Sequence, residues 1–223
     1  MKLPVALLGV IACHSESRAV ALDPTPAIVV TRVAPERLCV THGAIVANRI
    51  SEPTVRAVAP GSSGTAALLA FRASGWTENE RDLASGEARH QVGIKLRAQD
   101  SCNVVYVMWR SDKQKLDVSF KLNPGKQTHA QCGATGYTKL RGKTTPIPTL
   151  MGSHALQAEL VGNELTAWVD GHVAWRGTVP TAALAITGPS GFRTDNTELE
   201  LQQFSAPAGS APGPCGHEAL TDD

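Results

Sequence analysis

Aromatic residues are scarce in this 223-residue chain, which holds four Trp, four Phe and two Tyr. A core built mainly from rings is excluded, so the interior must rest on Val, Leu, Ile and Ala. Charge of one sign is also missing: 21 Lys and Arg stand against 20 Asp and Glu. With no polybasic run, the chain lacks the electrostatic footprint of a nucleic-acid binder. The longest apolar run, Leu3 to Ala12, is about half of the roughly 20 residues that a membrane-spanning helix needs. No segment sustains helical periodicity. Dedicated chemical motifs are absent too. The seven histidines form no H-E-x-x-H and no close pair, and no G-x-S-x-G occurs. Gly61-Ser62-Ser63-Gly64 is not followed by the Lys that opens a helix after a phosphate-binding loop. No C-x-x-C spacing suggests zinc.

What is present begins at the N-terminus. One cation, Lys2, precedes the apolar run, and small Ala12 precedes Cys13. That is the order of a secretory signal. The end of it, Val10-Ile11-Ala12-Cys13, resembles the bacterial lipobox, whose cysteine is acylated and becomes the mature N-terminus; an ordinary cleaved signal is the alternative. The resemblance implies an exported protein, lipid-anchored through Cys13 in the cell envelope. With His14 rather than Asp after the cysteine, it implies the outer membrane if the cell is Gram-negative.

Removing residues 1–13 leaves about 210, which suits one β domain. Residues 14–26 are polar and Pro-bearing and are expected to be a tether. Residues 27–205 form the expected domain, and 206–223 a Pro/Gly/Ala-rich C-terminal tail. Four cysteines remain, Cys39, Cys102, Cys132 and Cys215. An even number in an exported protein suggests two disulfides among three possible pairings. Cys102–Cys132 and Cys39–Cys215 are favoured.

Within the domain, apolar and polar residues alternate. Val92, Ile94 and Leu96 alternate with Gln91, Gly93, Lys95 and Arg97, and Leu116, Val118, Phe120 and Leu122 with Lys115, Asp117, Ser119 and Lys121. The same period occurs over 155–160, 164–170 and 198–202. Such strands bury one face and solvate the other. Ala66–Phe71 and Val104–Trp109 are apolar on both faces and suit central strands. Turn residues recur between the runs, as in Asn123-Pro124-Gly125 and Asp170-Gly171. The expected class is all-β, an antiparallel β-sandwich.

The stretch around 155–204 reads HALQAELVGNELTAWVDGHVAWRG and then GPSGFRTDNTELELQQFSA. It resembles the last strands of concanavalin A-like jelly rolls, including laminin G-like domains: H-x-L-x-A-x, a tight turn, x-L-x-x-x-V-D-G, then G-x-x-G-x-R-x-D-N before the closing strand. The resemblance implies that fold, which hosts lectins, adhesion modules and hydrolases. The branch resembling family-16 glycoside hydrolases carries E-x-D-x-x-E on one strand. This chain has no such pattern: Glu78 and Glu80 lie in a polar loop, and Glu198 and Glu200 on the closing strand. Some relatives bind calcium through loop carboxylates. Here Asp170, Asp195 and Asn196 are candidates, although turn-forming accounts for the same residues, and no cofactor is expected.

Candidate ligand-binding residues follow from the alternation. Leu165, Ala167 and Val169 claim the inward side, so Trp168 is expected to point outward beside Asp170 as a stacking plate for a sugar ring. Gln91, Lys95, Gln157 and Glu159 are expected on outward faces, and Trp76 at a cleft rim. Trp109 and Trp175 read as core, with Tyr106 and Met108 facing away from Trp109. Lys139, Arg141 and Lys143 read as solvated loop. The leading expectation is non-catalytic recognition of a glycan or envelope polymer. A structural lipoprotein binding an envelope protein is second, and a glycoside hydrolase or lyase lacking the usual motif third.

Overall fold

The computed structural model describes residues 31–34 and 37–212; the signal segment with Cys13, the tether 14–26 and residues 213–223 with Cys215 lie outside them. The chain forms two antiparallel sheets stacked as a sandwich. The back sheet has eight strands. Their order is β1 (Thr31–Val33), β15 (Thr197–Ala206), β5 (Ala66–Trp76), β11 (Gly152–Val161), β12 (Glu164–Val169), β13 (His172–Thr178) and β10 (Gly142–Thr144), with β3 (Arg49–Ile50) also pairing with β15. The front sheet has seven, in the order β2 (Cys39–His42), β4 (Thr54–Ala59), β14 (Ser190–Asp195), β6 (Gln91–Leu96), β7 (Val104–Arg110), β8 (Leu116–Lys121) and β9 (Tyr137–Lys139). Two single-turn helices, α1 (His129–Cys132) and α2 (Thr181–Leu184), sit in connections.

Every alternating run becomes strand, because period-two patterning presents one apolar face to the partner sheet. Leu69, Phe71, Leu156 and Leu165 from the back sheet meet Val92, Ile94, Val107 and Trp109 from the front. Phe71 contacts Trp109 edge-to-face across the layers, with ring centroids 6.1 Å apart. Trp109 and Trp175 are core, as expected. The β12–β13 hairpin turns at Asp170 (φ 51°) and Gly171 (φ 80°), the two left-handed residues a tight hairpin needs. Asp170 tolerates this because its carboxylate accepts the Ala155 N–H at 2.8 Å and faces His154 Nδ1 at 2.9 Å.

The Cys102–Cys132 disulfide is present, closing a separation of 30 residues. Cys39 is also disulfide-bonded; Cys215, its expected partner, lies outside the described residues. After β15 the chain stays docked: Gly209 donates to Gly61 O at 2.7 Å, and Gly61 donates to Ala211 O at 2.9 Å.

One expectation needs correcting. The outward side of the front sheet is not a solvated face. β14 and β6 are buried at every residue, and β7 at all but Arg110. Two loops, 77–90 and 122–136, stand over this side and turn it into a groove.

Candidate functional site

The front groove encloses about 640 Å³, within the usual range for small-ligand sites. Strand register builds its floor in rows. Arg56 on β4 lies beside Arg193 on β14, then come Gly93 on β6, Met108 on β7 and Asp117 on β8. In the next row Lys95, Tyr106, Ser119 and Lys139 are neighbours. Gly93 is a spacing requirement: a Cβ there would lie 2.3 Å from Met108 Sδ, so only glycine lets Met108 lie across the floor.

Arg193 is the fixed centre. Its Nε and Nη2 donate to the two oxygens of Asp195 at 2.8 and 3.0 Å, and Gln91 Nε2 donates to Asp195 Oδ2 at 2.7 Å. Burial works against the Arg193 charge, but the Asp195 carboxylate outweighs it and holds the pKa well above the ordinary value. The guanidinium carbon sits 5.7 Å from the centroid of the Tyr106 ring, a cation–π distance. Tyr106 in turn stacks on Tyr137, with centroids 6.0 Å apart and planes at 28°. Burial, then the adjacent Tyr137, raises the Tyr106 pKa, so the phenol stays neutral. Tyr137 is 45% exposed and Tyr106 only 5%. The upper ring therefore faces the opening and the lower one supports it. These are the only two tyrosines in the chain.

Each wall is tied down by buried polar groups. Asn196 (φ 48°) clamps the 77–90 loop: its Oδ1 accepts the Arg81 N–H at 2.8 Å, and its Nδ2 donates to Arg81 O and Arg89 O at 2.9 and 3.2 Å. The 122–136 loop is held by the Cys102–Cys132 bridge. Asn123 reinforces it, donating to Cys102 O and Thr135 O at 3.2 and 3.0 Å. Lys121, almost fully buried, donates to Ser101 O and Gly133 O at 3.1 and 2.6 Å, and its Nζ sits 5.3 Å from the Tyr137 ring centroid. Along the rim, Asp117 accepts from Lys113 at 2.8 Å and Lys139 at 3.0 Å, and Arg110 forks onto Asp112 at 2.8 and 2.6 Å. Partial burial pushes the Asp117 pKa up, but the two lysines outweigh that and hold it below the usual carboxylate range.

The structure divides the residues expected from sequence. Gln91 and Lys95 lie on the groove sheet, both buried, and Gln91 serves Asp195 from within the groove lining. Trp168, Gln157, Glu159 and Asp170 belong to the back sheet. Trp168 does point away from the core, but it is only 5% exposed and its indole nitrogen is a buried donor with no partner. At that exposure it is not an open plate; Gln157 and Val173 are its cross-strand neighbours. Burial raises the Glu159 pKa. Trp76 is exposed, packs at a tilt against His90 with ring centroids 4.4 Å apart, and lies outside the groove lining. Asp170, Asp195 and Asn196 do not converge; each spends its polar atoms on the protein itself. Among the described residues no cluster of three or more His, Cys, Asp or Glu is placed to hold a metal. Lys139 is on an edge strand at the groove, not in a loop.

Tyr106 and Met108 line the groove as their parity with Trp109 implied. Arg56 and Tyr137 are groove residues that the sequence reading does not include. Arg56 had a signal, since Thr54, Arg56 and Val58 alternate with Val55, Ala57 and Ala59. Tyr137 had almost none, because its strand has three residues, all exposed.

No protein-family model and no curated relative matches the sequence. Solved structures do match in shape. The carbohydrate-binding module CBM66 from Bacillus subtilis superposes with a TM-score of 0.50 at 10% identity, over 78% of this chain and 94% of that one. The Crh5 transglycosylase in complex with NAG gives 0.48 at 12% identity, over 80% and 81%. Galectin LEC-6 from Caenorhabditis elegans gives 0.41 at 13%, over 74% and 98%. At such identities the likeness concerns the fold, and the fold is the concanavalin A-like jelly roll.

Proposed function

We propose that the front groove binds a glycan and does not cleave it. The observation that carries this is the tyrosine pair: an exposed ring, Tyr137, backed by buried Tyr106, over the fixed Arg193–Asp195–Gln91 set. A sugar ring presents an apolar face edged by hydroxyls. A flat ring with nearby hydrogen-bonding groups complements it. That the shape is shared with a carbohydrate-binding module supports the reading.

The carboxylates favour binding over hydrolysis. Glycosidases of the common kind need one carboxyl kept protonated as general acid. Of the two Asp that line the groove, Asp117 is held ionised by Lys113 and Lys139 and Asp82 stands on the 77–90 wall, while Asp195 lies buried beneath and is locked to Arg193. We further propose that the protein works in the cell envelope, exported and anchored through acylated Cys13.

The test is an array of glycans and cell-wall polysaccharides probed with the oxidised full chain, with Tyr137→Ala beside it. Selective binding lost in the variant is the expected result. Folded protein that retains nothing from the array sinks the proposal, and shortening of a bound polysaccharide sinks its non-catalytic half.

A further inference from the structure

The chain is almost neutral, with a net charge of +1, yet the groove is not. Its lining holds seven Arg and Lys against two Asp. Three more carboxylates reach these cations from the side or from below: Glu87 on Arg89, Asp112 on Arg110 and Asp195 on Arg193. Arg81 aside, six of these cations face five carboxylates among the described residues, so positive charge remains in excess after every such pairing. His42 and His129 also line the groove.

The excess has a location. Arg56 is half-buried on the floor, directly across from Arg193 in the β4–β14 register. Arg193 already has its carboxylate, in a two-pronged bond. The Arg56 guanidinium has no hydrogen-bonded acceptor or ion-pair partner among the described residues. Partial loss of water, then the like charge of Arg193, both press its pKa down. A desolvated cation beside another cation costs folding free energy unless an anion meets it. Among the described residues the Asp195 carboxylate, already forked onto Arg193, and the two tyrosines offset this cost only in part, so the fitting partner is an external anion. A guanidinium suits planar or tetrahedral oxyanions because its N–H groups donate in parallel. Tyr137 opens into the same groove, so an anion at Arg56 and a sugar ring on Tyr137 belong to one ligand.

We propose that the glycan bound in this groove is anionic, and that Arg56 contacts its charged group. The inference rests on the glycan-binding reading above. The shared chemistry is an oxyanion on a sugar, whether carboxylate, sulfate or phosphate.

The experiment is calorimetric titration of the oxidised full chain with three anionic polymers: a polyuronate, a sulfated galactan and a phosphorylated mannan. Each is paired with its uncharged counterpart, and polyacrylate serves as a sugar-free polyanion. The expected result is that at least one anionic glycan binds about tenfold or more tightly than its neutral partner. The arm that does so identifies the charged group. Binding weakens with added salt. Arg56→Gln loses about tenfold in affinity with no drop in Tm, because it removes a repulsion with Arg193; Arg56→Lys recovers part of the loss. Equal binding of charged and neutral glycans, lost in Tyr137→Ala and unchanged in Arg56→Gln, overturns the inference and leaves glycan binding standing. No binding by any glycan, or binding of polyacrylate as tight as any sugar and unaffected by Tyr137→Ala, overturns both.

Discussion

The outer sides of the two sheets are written in the same alternating pattern and end in different surroundings. On the back sheet, Arg72, Glu200 and Gln202 are exposed, while Gln157 and Glu159 are half-buried. On the front sheet the equivalent positions are Gln91, Lys95, Tyr106 and Arg193, all buried. The back sheet meets solvent as a twisted surface with one buried indole, Trp168. The front sheet lies under two clamped loops, and its polar side chains had to find partners. They did so by pairing Arg193 with Asp195 and laying tyrosines over the pair. A polar residue on a strand thus says which side it faces, and the cover above that side decides whether it is solvated or part of a site.

The sharpest way to break the comparison is to truncate one buried group on each side. Asp195→Ala strands Arg193 without its carboxylate and is expected to cost about 3–5 kcal/mol. Trp168→Ala empties a buried site on the other sheet, at about 3–5 kcal/mol. Thermal denaturation reports both losses. Glycan binding at a temperature where both variants remain folded separates them, since only Asp195→Ala lies under the groove. Equal loss of binding in both would dissolve the distinction between the two sides.

Replacing Cys102 and Cys132 together by Ser frees the 122–136 wall. Loop-closure entropy for a separation of 30 residues gives a loss of about 3.6 kcal/mol. Denaturant unfolding measures it, and binding is expected to weaken in parallel. Tyr137→Ala should act in the opposite proportion. Half-exposed Tyr137 adds little to stability, while its removal costs about tenfold in affinity, on the order of 1.4 kcal/mol. A large Tm drop with binding intact would make Tyr137 a structural residue.

The smallest effect expected is at the rim. The Asp117 pKa is lowered in the fold by Lys113 and Lys139, with Arg110 3.6 Å away. Its contribution to stability is fully present above the unfolded-state pKa of about 4, and is lost as pH falls through the lower folded value. Partly exposed pairs of this kind contribute about 1 kcal/mol or less. Asp117→Asn should therefore lie slightly below wild type in stability near neutral pH, and the gap should close in acid. A gap that stays constant from about pH 7 to about pH 3 would show that ionised pairing is not its source.

Much of the fold was legible because alternation is a local property. Gln91–Leu96, Leu116–Lys121 and the 155–170 hairpin all announce strands by period, and Asp170-Gly171 announces its turn. The R-x-D-N segment was recognisable, yet its use was not. Asp195 and Asn196 resembled loop ligands for a cation, whereas one fixes Arg193 and the other clamps the 77–90 loop. Trp168 misled for a related reason. Parity correctly turned it away from the core, but parity carries no information about what closes over an outward side chain.

The sequence by itself determined the class, the sandwich and the facing of nearly every strand residue, and it favoured the Cys102–Cys132 staple that the structure then showed. Spacing sets facing, and burial of one apolar face rewards only one register. Only the tertiary structure decided that Tyr106 and Tyr137, 31 positions apart, stack in one groove, and that Arg56 lies against Arg193. Those contacts arise from strand order, and strand order follows from how whole sheets fold upon each other rather than from any stretch of residues read alone.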